Sequence, residues 1–291
     1  MKRRIRGCYN LAMVIDFHTH IFPLQIGSER GMYAAKDPCF GALYSSEKAK
    51  LATVEDVIES MDRDGVDVSV VMNIGWSTSE LCRETNDYIM ESVSRYPGRL
   101  EGFCSVQPME TDEAVKEIER CAKGGLKGIG ELRPDTQQID FSDEYAMGPF
   151  TEAVKKYGMV LLFHASEPVG HLYPGKGVVT PEILYPFIAA NPDIDIVLGH
   201  WGGGLPFYAM MPEVKKAMAR VYFDAAASPF LYRPQVYEEV SRLVGGEHVL
   251  FGSDFPLMPQ SRLINEIRAS SLTEEEKELV LGGNARRLLD I

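Results

Sequence analysis

Near its start the chain reads Ile15-Asp16-Phe17-His18-Thr19-His20, an apolar run that ends in two histidines. From Met13 to Phe17 every residue except Asp16 is apolar, which predicts a buried β-strand. His18 and His20 follow directly, and residues two apart on a strand point to the same side, so both imidazoles can bind one metal ion. Asp16 shares that parity and is positioned to orient a histidine from behind.

Further short apolar runs follow the first, and segments with helical periodicity separate them. This alternation is typical of a parallel sheet joined by crossover helices. The eight predicted strands are Met13–Phe17, Val66–Ile74, Leu100–Gln107, Leu126–Glu131, Met159–Phe163, Ile194–Gly199, Val221–Ala225 and His248–Gly252. Such units form either a closed barrel or an open doubly wound sheet. No GxGxxG sequence follows the first strand, so the dinucleotide-binding motif of many open sheets is absent.

Residues with metal-binding side chains terminate several predicted strands. His164 follows the fifth strand, His200 follows the sixth and Asp254 lies just after the eighth. In (β/α)8 enzymes the active site is assembled at this carboxyl-terminal end of the strands. We therefore predict an α/β protein with a single (β/α)8 barrel, or TIM barrel, over residues 13–291. Residues 1–12 are predicted to be an N-terminal extension.

The acidic composition of the chain argues against some classes of binding partner. A formal net charge of −12 repels nucleic-acid phosphates and anionic membranes, so neither is an expected partner. No apolar stretch approaches the roughly 20 residues needed to span a bilayer. The five cysteines are scattered without CxxC pairs, which argues against a disulfide framework or a thiolate zinc site. We expect a cytoplasmic protein that acts on a small molecule, with a homo-oligomer as an open possibility.

Four motifs occur together in a characteristic order. They are Ile15-Asp16-Phe17-His18-Thr19-His20, Gly199-His200-Trp201-Gly202-Gly203, Phe251-Gly252-Ser253-Asp254-Phe255-Pro256 and Asn284-Ala285-Arg286-Arg287-Leu288. With these motifs the chain resembles the amidohydrolase superfamily from Met13 to Leu289, and its amidohydrolase-related branch, which includes aminocarboxymuconate semialdehyde decarboxylase. The resemblance implies a TIM barrel of the metal-dependent hydrolase type. The resemblance implies that a catalytic divalent metal is bound by His18, His20, His164 and Asp254. It also implies that His200 is a catalytic residue or a further ligand.

Glu131, at the end of the fourth strand, leaves two interpretations open. Decarboxylases of this branch do not characteristically present a metal-binding Glu there, whereas the TatD-like hydrolases of the superfamily have a Glu that bridges two metals. Glu131 would then hold a second ion with His200. Alternatively, Glu131 pairs with Arg133, which shares its strand parity. Imidazoles with carboxylates suit zinc, manganese or iron, and we expect one or two ions, zinc before the others.

The leading functional hypothesis is hydrolysis of an amide, ester or lactone in a small molecule through a metal-activated water. Asp254 would transfer the proton, His200 would polarise the carbonyl oxygen, and Arg133 would hold a substrate carboxylate. The alternative is metal-dependent non-oxidative decarboxylation of a small carboxylic acid with the same ligands, in which His200 or Asp254 would supply the proton. A third hypothesis, a catalytically silent binding barrel, predicts loss of a ligand, yet all matched positions are present.

The positions of several other residues relative to the predicted strands suggest roles for them. The long segment from Ile21 to Ala52 follows the first strand and is a candidate lid. Asp224, at the end of the seventh strand, is a candidate for contact with the substrate or with a metal-binding side chain. His171, in the loop after the fifth strand, could face substrate or solvent. His248 begins the eighth strand, at the opposite end of the barrel, and is expected to be structural.

Overall fold

The computed structural model of the chain describes residues 13–173 and 175–291 and shows the predicted (β/α)8 barrel. Eight parallel strands pair in sequence order. They are β1 (Ile15–His20), β2 (Val68–Met72), β3 (Leu100–Cys104), β4 (Gly128–Leu132), β5 (Val160–Phe163), β6 (Ile196–Leu198), β7 (Val221–Asp224) and β8 (Val249–Leu250). Thr19 pairs with Phe255 where the last strand meets the first. The predicted N-terminal extension, residues 1–12, lies outside the described residues.

Several strand bounds differ from the predicted ones. β1 extends to His20 rather than ending at Phe17, so both histidines belong to the strand itself. β2 and β3 are shorter than predicted, because the apolar runs continue past the last pairing with a neighbouring strand. Ile74 and Val106 lie beyond those strands, and each is only 1% exposed. Residues therefore stay buried beyond the ends of these strands, so the length of an apolar run predicts a strand that is too long.

Helices surround the barrel. They are α1 (Leu24–Ser28), α2 (Arg30–Lys36), α3 (Pro38–Tyr44), α4 (Val54–Asp64), α5 (Ser79–Arg95), α6 (Thr111–Lys123), α7 (Pro134–Gln137), α8 (Glu144–Tyr157), α9 (Pro181–Ala190), α10 (Gly199–Gly202), α11 (Pro212–Ala217), α12 (Ser228–Leu231), α13 (Val236–Val244), α14 (Gln260–Ala269), α15 (Glu274–Glu278) and α16 (Asn284–Leu289). Short 3-10 turns occupy Leu205–Met210 and Gly246–His248, and a π turn occupies Leu279–Gly283. Within the described residues, none of the helices has both the length and the apolar character to cross a bilayer.

Alternate residues of each strand face different cores. On β5, Val160 and Leu162 join the cluster inside the barrel, whereas Leu161 and Phe163 pack against the outer helices. Ala285 and Leu289 of α16 also belong to the inner cluster. The C-terminal helix thus contributes to the core that Ile15 and Phe17 enter from β1, which leaves the opposite end of the barrel for polar side chains.

The segment between β1 and α4, predicted as a lid, consists of the helices α1, α2 and α3. Its aromatic side chains form a buried cluster with Trp76, in which Phe40 stacks on the indole at 5.5 Å and 13°. Asp37 caps α3 and also accepts hydrogen bonds from the backbone N–H and hydroxyl of Ser77. These contacts fasten the segment to the loop after β2.

Candidate metal centre

The six residues predicted as metal ligands converge at the carboxyl-terminal end of the barrel. The His20 Nε2 atom lies 3.0 Å from His18 Nε2 and 3.3 Å from Asp254 Oδ1. A carboxylate oxygen of Glu131 lies 3.8 Å from His18 Nε2, and its other oxygen lies 3.5 Å from His200 Nε2. Two groups have ligand atoms within 4.8 Å of one another: His18, His20 and Asp254, and His18, Glu131 and His200.

Irregular backbone presents these side chains. The pairing of β1 with β2 shifts register between Asp16 and Thr19, the stretch that contains His18. The pairing of β4 with β5 shifts between Ile129 and Leu132, the stretch that contains Glu131. Such irregularities re-aim side chains beside active sites. They explain why strict alternation along a strand does not describe the site.

His200 and Asp254 have left-handed backbone conformations, with φ of 55° and 60°. This backbone conformation is unfavourable for residues other than Gly, and it persists where the surrounding structure stabilises it. The His200 N–H donates to Asp224 Oδ1 at 3.0 Å, and the Asp254 N–H donates to the His18 carbonyl at 2.9 Å. The first bond joins His200 to β7, and the second joins Asp254 to β1. Hydrogen bonds within the site therefore stabilise both left-handed conformations.

Two imidazoles are oriented by acceptors behind them. His18 Nδ1 donates to Asp224 Oδ2 at 2.8 Å, and His200 Nδ1 donates to the Ala226 carbonyl at 3.1 Å. Because a carboxylate and a carbonyl only accept, Nδ1 carries the proton in both rings and Nε2 faces the centre. Asp224 is fully buried and also accepts from the Ala226 N–H at 3.0 Å. Asp224 therefore orients His18, a predicted metal ligand, which is one of the two roles expected from its position.

Asp16 is fully buried, and its carboxylate binds backbone and side-chain donors rather than an imidazole. Its carboxylate accepts from the Ser253 hydroxyl at 2.5 Å, the Ser253 N–H at 2.8 Å, the Gln260 amide at 2.8 Å and the His18 N–H at 3.2 Å. Burial raises its pKa to about 6, although the bonds from Ser253 and Gln260 oppose that rise. Asp16 thus joins β1 to the turn that presents Asp254. Sequence reasoning missed the roles of Ser253 and Gln260.

His164 occupies the outer side of Glu131. Its Nδ1 donates to Glu131 Oε1 at 3.0 Å, and its Nε2 accepts from the Ser166 hydroxyl at 3.1 Å. Burial and the charge of Arg133 lower the pKa of His164 to about 4, so the ring is neutral. Neither group of closely spaced ligand atoms in the described residues includes His164. Its role as a ligand remains a prediction.

Arg133 is buried and pairs with Asp135 rather than with Glu131. Its Nε lies 3.3 Å from Asp135 Oδ1, and its Nη2 donates to the Gly175 carbonyl at 2.5 Å. Asp135 also accepts from the Val178 N–H at 3.1 Å. Arg133 therefore fastens the loop after β5, and binding of a substrate carboxylate by this residue stays a prediction.

The carboxylates and imidazoles of the site balance each other's charge. Burial alone would raise the pKa of Glu131, but hydrogen bonds from His164, His18 and His200 hold it well below its usual range. Burial would also raise the pKa of Asp254, but the hydrogen bond with His20 and the charges of His18 and His200 together lower it to about 2. Burial disfavours charged His200, yet Glu131 and Asp254 raise its pKa to about 9.

The groups that converge here are imidazole nitrogens and carboxylate oxygens, and a divalent cation can balance the carboxylates in place of protons on the imidazoles. Zinc, manganese and iron all accept such donors. The residues therefore fit a divalent metal.

A pocket of about 420 Å³ opens at the same end of the barrel. It lies between the loops after β5, β6 and β7, and its walls include Glu167, His171, Tyr173, Phe207 and Tyr232. His171 is exposed in this wall, so its side chain is available to a ligand and to solvent.

The chain has recognisable relatives among known proteins. The sequence model of the family described as Amidohydrolase matches residues 15–291. A gamma-resorcylate decarboxylase from Polaromonas sp. (strain JS666 / ATCC BAA-500) is 22% identical, over 84% of this chain and 90% of the relative. A 2-amino-3-carboxymuconate-6-semialdehyde decarboxylase from Dictyostelium discoideum is 24% identical, over 96% of this chain and 92% of the relative.

Solved structures give the same fold. A structure of 5-carboxyvanillate decarboxylase from Novosphingobium aromaticivorans DSM 12444, with bound manganese and 3-methoxy-4-hydroxy-5-nitrobenzoic acid, matches with a TM-score of 0.80. Its sequence is 18% identical, and the match covers 98% of this chain and 99% of that one. At this identity the match shows a shared barrel.

Proposed function

The chain belongs to the amidohydrolase family, as its motifs predict, and from this premise we propose that it is a metal-dependent non-oxidative decarboxylase of a small aromatic acid. The observation that carries the proposal is a buried set of metal-spaced imidazoles and carboxylates in a chain whose matched relatives are decarboxylases. Hydrolysis was the first expectation from sequence. Those relatives give it no support, and they favour the alternative.

We assign the ion to His18, His20 and Asp254, whose ligand atoms are closely spaced. His164 is retained as the further predicted ligand. A bound divalent metal would supply Lewis-acid polarisation of substrate oxygens. The zinc preference has no support of its own, because manganese suits the same donors and accompanies a protein of the same fold.

His200 is the side chain we propose as proton donor. Its Nδ1 is fixed to the Ala226 carbonyl, so its Nε2 faces the centre beside Glu131. Decarboxylation of an aryl carboxylate requires a proton on the ring carbon that bears the carboxyl group. A C–H bond forms there with the proton from Nε2, the bond to the carboxyl carbon breaks, and its electron pair restores the aromatic ring. Carbon dioxide leaves, and His200 regains a proton from solvent.

The experiment compares two classes of substrate on one preparation. Protein stripped with a chelator and reloaded with Mn²⁺ or Zn²⁺ would be given 2,6-dihydroxybenzoate and 6-methylsalicylate, with release of carbon dioxide as the measurement. A matched panel of p-nitrophenyl acetate, p-nitroacetanilide and γ-butyrolactone tests hydrolysis. Metal-dependent carbon dioxide release supports the proposal. Metal-dependent hydrolysis without any decarboxylation would overturn it and restore the first expectation.

A further inference from the structure

Helix α3, in the segment predicted as a lid, lies over the mouth of the barrel. A Cβ at Gly175 would lie 2.8 Å from Leu43 Cδ2, so α3 is in contact with the loop after β5. The Gly175 carbonyl in turn accepts from Arg133 Nη2 at 2.5 Å. In addition, α3 contacts α7, the short helix that follows Arg133. The last turn of α3 is therefore held beside the end of β4, the strand that carries Glu131.

Tyr44, the last residue of α3, packs against the segment that follows β1. Its ring contacts Phe22 edge-on, with centroids 5.2 Å apart, and Phe40, with centroids 5.1 Å apart. Phe22 is buried and follows the predicted ligand His20 by two residues. Tyr44 itself is half-buried. Packing therefore holds the ring next to the metal centre, and part of its surface stays open.

The hydroxyl of Tyr44 lies in the electric field of the metal centre. Burial and the charges of Asp254 and Glu131 raise the pKa of Tyr44 well above its ordinary value, and the charge of Arg133 opposes that rise. The hydroxyl therefore keeps its proton at neutral pH and can donate a hydrogen bond. The Arg133 guanidinium is buried and can only donate. Two donors near the centre, one of them a cation, favour an anionic oxygen of a ligand.

We propose that Tyr44 is a substrate-binding residue whose hydroxyl donates a hydrogen bond to the carboxylate of the bound aromatic acid. This inference rests on the proposed function, which supplies the aromatic acid. It gives the lid segment a second role, because a helix that covers the mouth also contributes a binding group. A hydrogen bond to a carboxylate is about twice as strong as one between neutral groups, so the hydroxyl favours the anion over a neutral compound of the same shape.

The test measures binding at the metal centre without turnover. Benzoate lacks the ring hydroxyl groups that make an aryl carboxylate easy to protonate on carbon, so it serves as an unreactive probe. In a titration of Mn²⁺-loaded protein, paramagnetic broadening of the benzoate proton signals gives the dissociation constant, and Zn²⁺-loaded protein gives the diamagnetic baseline. Tyr44→Phe keeps the ring that packs on Phe22 and should weaken benzoate binding at least about tenfold, as for a hydrogen bond to a charged group. Benzamide, the neutral counterpart of benzoate, should weaken by a smaller factor.

Tyr33→Phe is the matched control, because Tyr33 belongs to the same aromatic cluster and its hydroxyl donates to Glu84, on α5, at 2.6 Å. This variant should bind benzoate within about twofold of the unaltered protein. Thermal melting of each variant would establish that it is folded. Unchanged benzoate binding in Tyr44→Phe, an equal loss for benzamide or in Tyr33→Phe, or no broadening by the unaltered protein would overturn the assignment. A loss of benzoate binding specific to Tyr44→Phe, without carbon dioxide release from any aromatic acid, would uphold Tyr44 as a binding residue and overturn decarboxylation.

Discussion

The two sides of the barrel mouth differ in how completely their carboxylates are hydrogen-bonded. On the side of β1, β7 and β8, Asp16 accepts four hydrogen bonds and Asp224 accepts three, and both are fully buried. On the side of the loop after β5, one oxygen of Glu167 has no hydrogen-bond partner among the described residues. Leu172 in the same region is 90% exposed. The first side, here called the rigid side, holds the reacting groups through many hydrogen bonds, whereas the second, here called the loop side, has fewer such bonds and exposes apolar surface.

The largest expected effect comes from removing a ligand on the rigid side. His18→Ala should weaken metal binding by more than about a hundredfold, beyond the loss usual for residues that only orient ligands. His18 is shared by both groups of closely spaced ligand atoms, which is why it is chosen. Metal content by mass spectrometry and far-ultraviolet circular dichroism are the measurements, and the fold should persist.

His248→Ala is the control for this change, because His248 donates to the Val221 carbonyl at the start of β8, away from the centre. It should retain its metal. Full occupancy in the His18 variant would contradict the ligand assignment. His164→Ala adds a comparison, since a smaller loss than for His18 would fit its outer position.

Asp224→Asn tests whether Asp224, on the rigid side, supports metal binding by orienting the His18 ring. The Asn amide can present N–H groups to His18 Nδ1, which favours the tautomer with the proton on Nε2 and removes the lone pair from the centre. Metal affinity should fall by about 10–100-fold without loss of folding. Competition with a chelating dye gives the affinity. The exposed Asp193→Asn is the matched control, and equal affinity in both variants would refute the orienting role.

The rigid side was largely predictable from sequence because its residues terminate apolar strands. His18, His20, His200 and Asp254 each follow a β-rich run, and parallel strands bring their carboxyl ends to one mouth. The partners behind them were less predictable. Ser253 and Gln260 reach Asp16 across 237 and 244 residues of sequence, and no local pattern indicates such contacts.

The loop side was not predictable in the same way. Glu167 and Tyr173 lie in a loop without periodicity, and their contact depends on how Arg133 and Asp135 hold that loop. Strand parity alone allows an ion pair between Glu131 and Arg133. In the structure β4 shifts register against β5 between Ile129 and Leu132, and Arg133 pairs with Asp135 instead. Reaction type was also beyond the motifs, because one fold and one ligand set support several reactions.

Tyr173→Phe should give a smaller effect than either change on the rigid side. It removes the hydroxyl that donates to Glu167 Oε2 and keeps the ring that walls the pocket. We expect the free energy of unfolding to fall by about 1 kcal/mol, as for one ordinary hydrogen bond, with metal content unchanged. Calorimetry and metal analysis on the same sample measure both quantities. Loss of metal in this variant would show that the two sides are not independent.

The smallest effect is expected from deletion of residues 1–12, which provides the baseline for both sides. The inner cluster at the end of the barrel opposite the metal centre contains Ile15 and Phe17 together with Ala285 and Leu289 of α16, so the chain from residue 13 onward supplies its own cover there. Because β1 begins at Ile15, we propose that the barrel over residues 13–291 folds and binds metal without the extension. The melting temperature should change by less than about 2 °C, which for a chain of this size corresponds to under about 1 kcal/mol. Differential scanning calorimetry with metal analysis is the measurement, and the full-length protein prepared in parallel is the control. A fall of many degrees would mean that residues 1–12 contribute to the folded barrel.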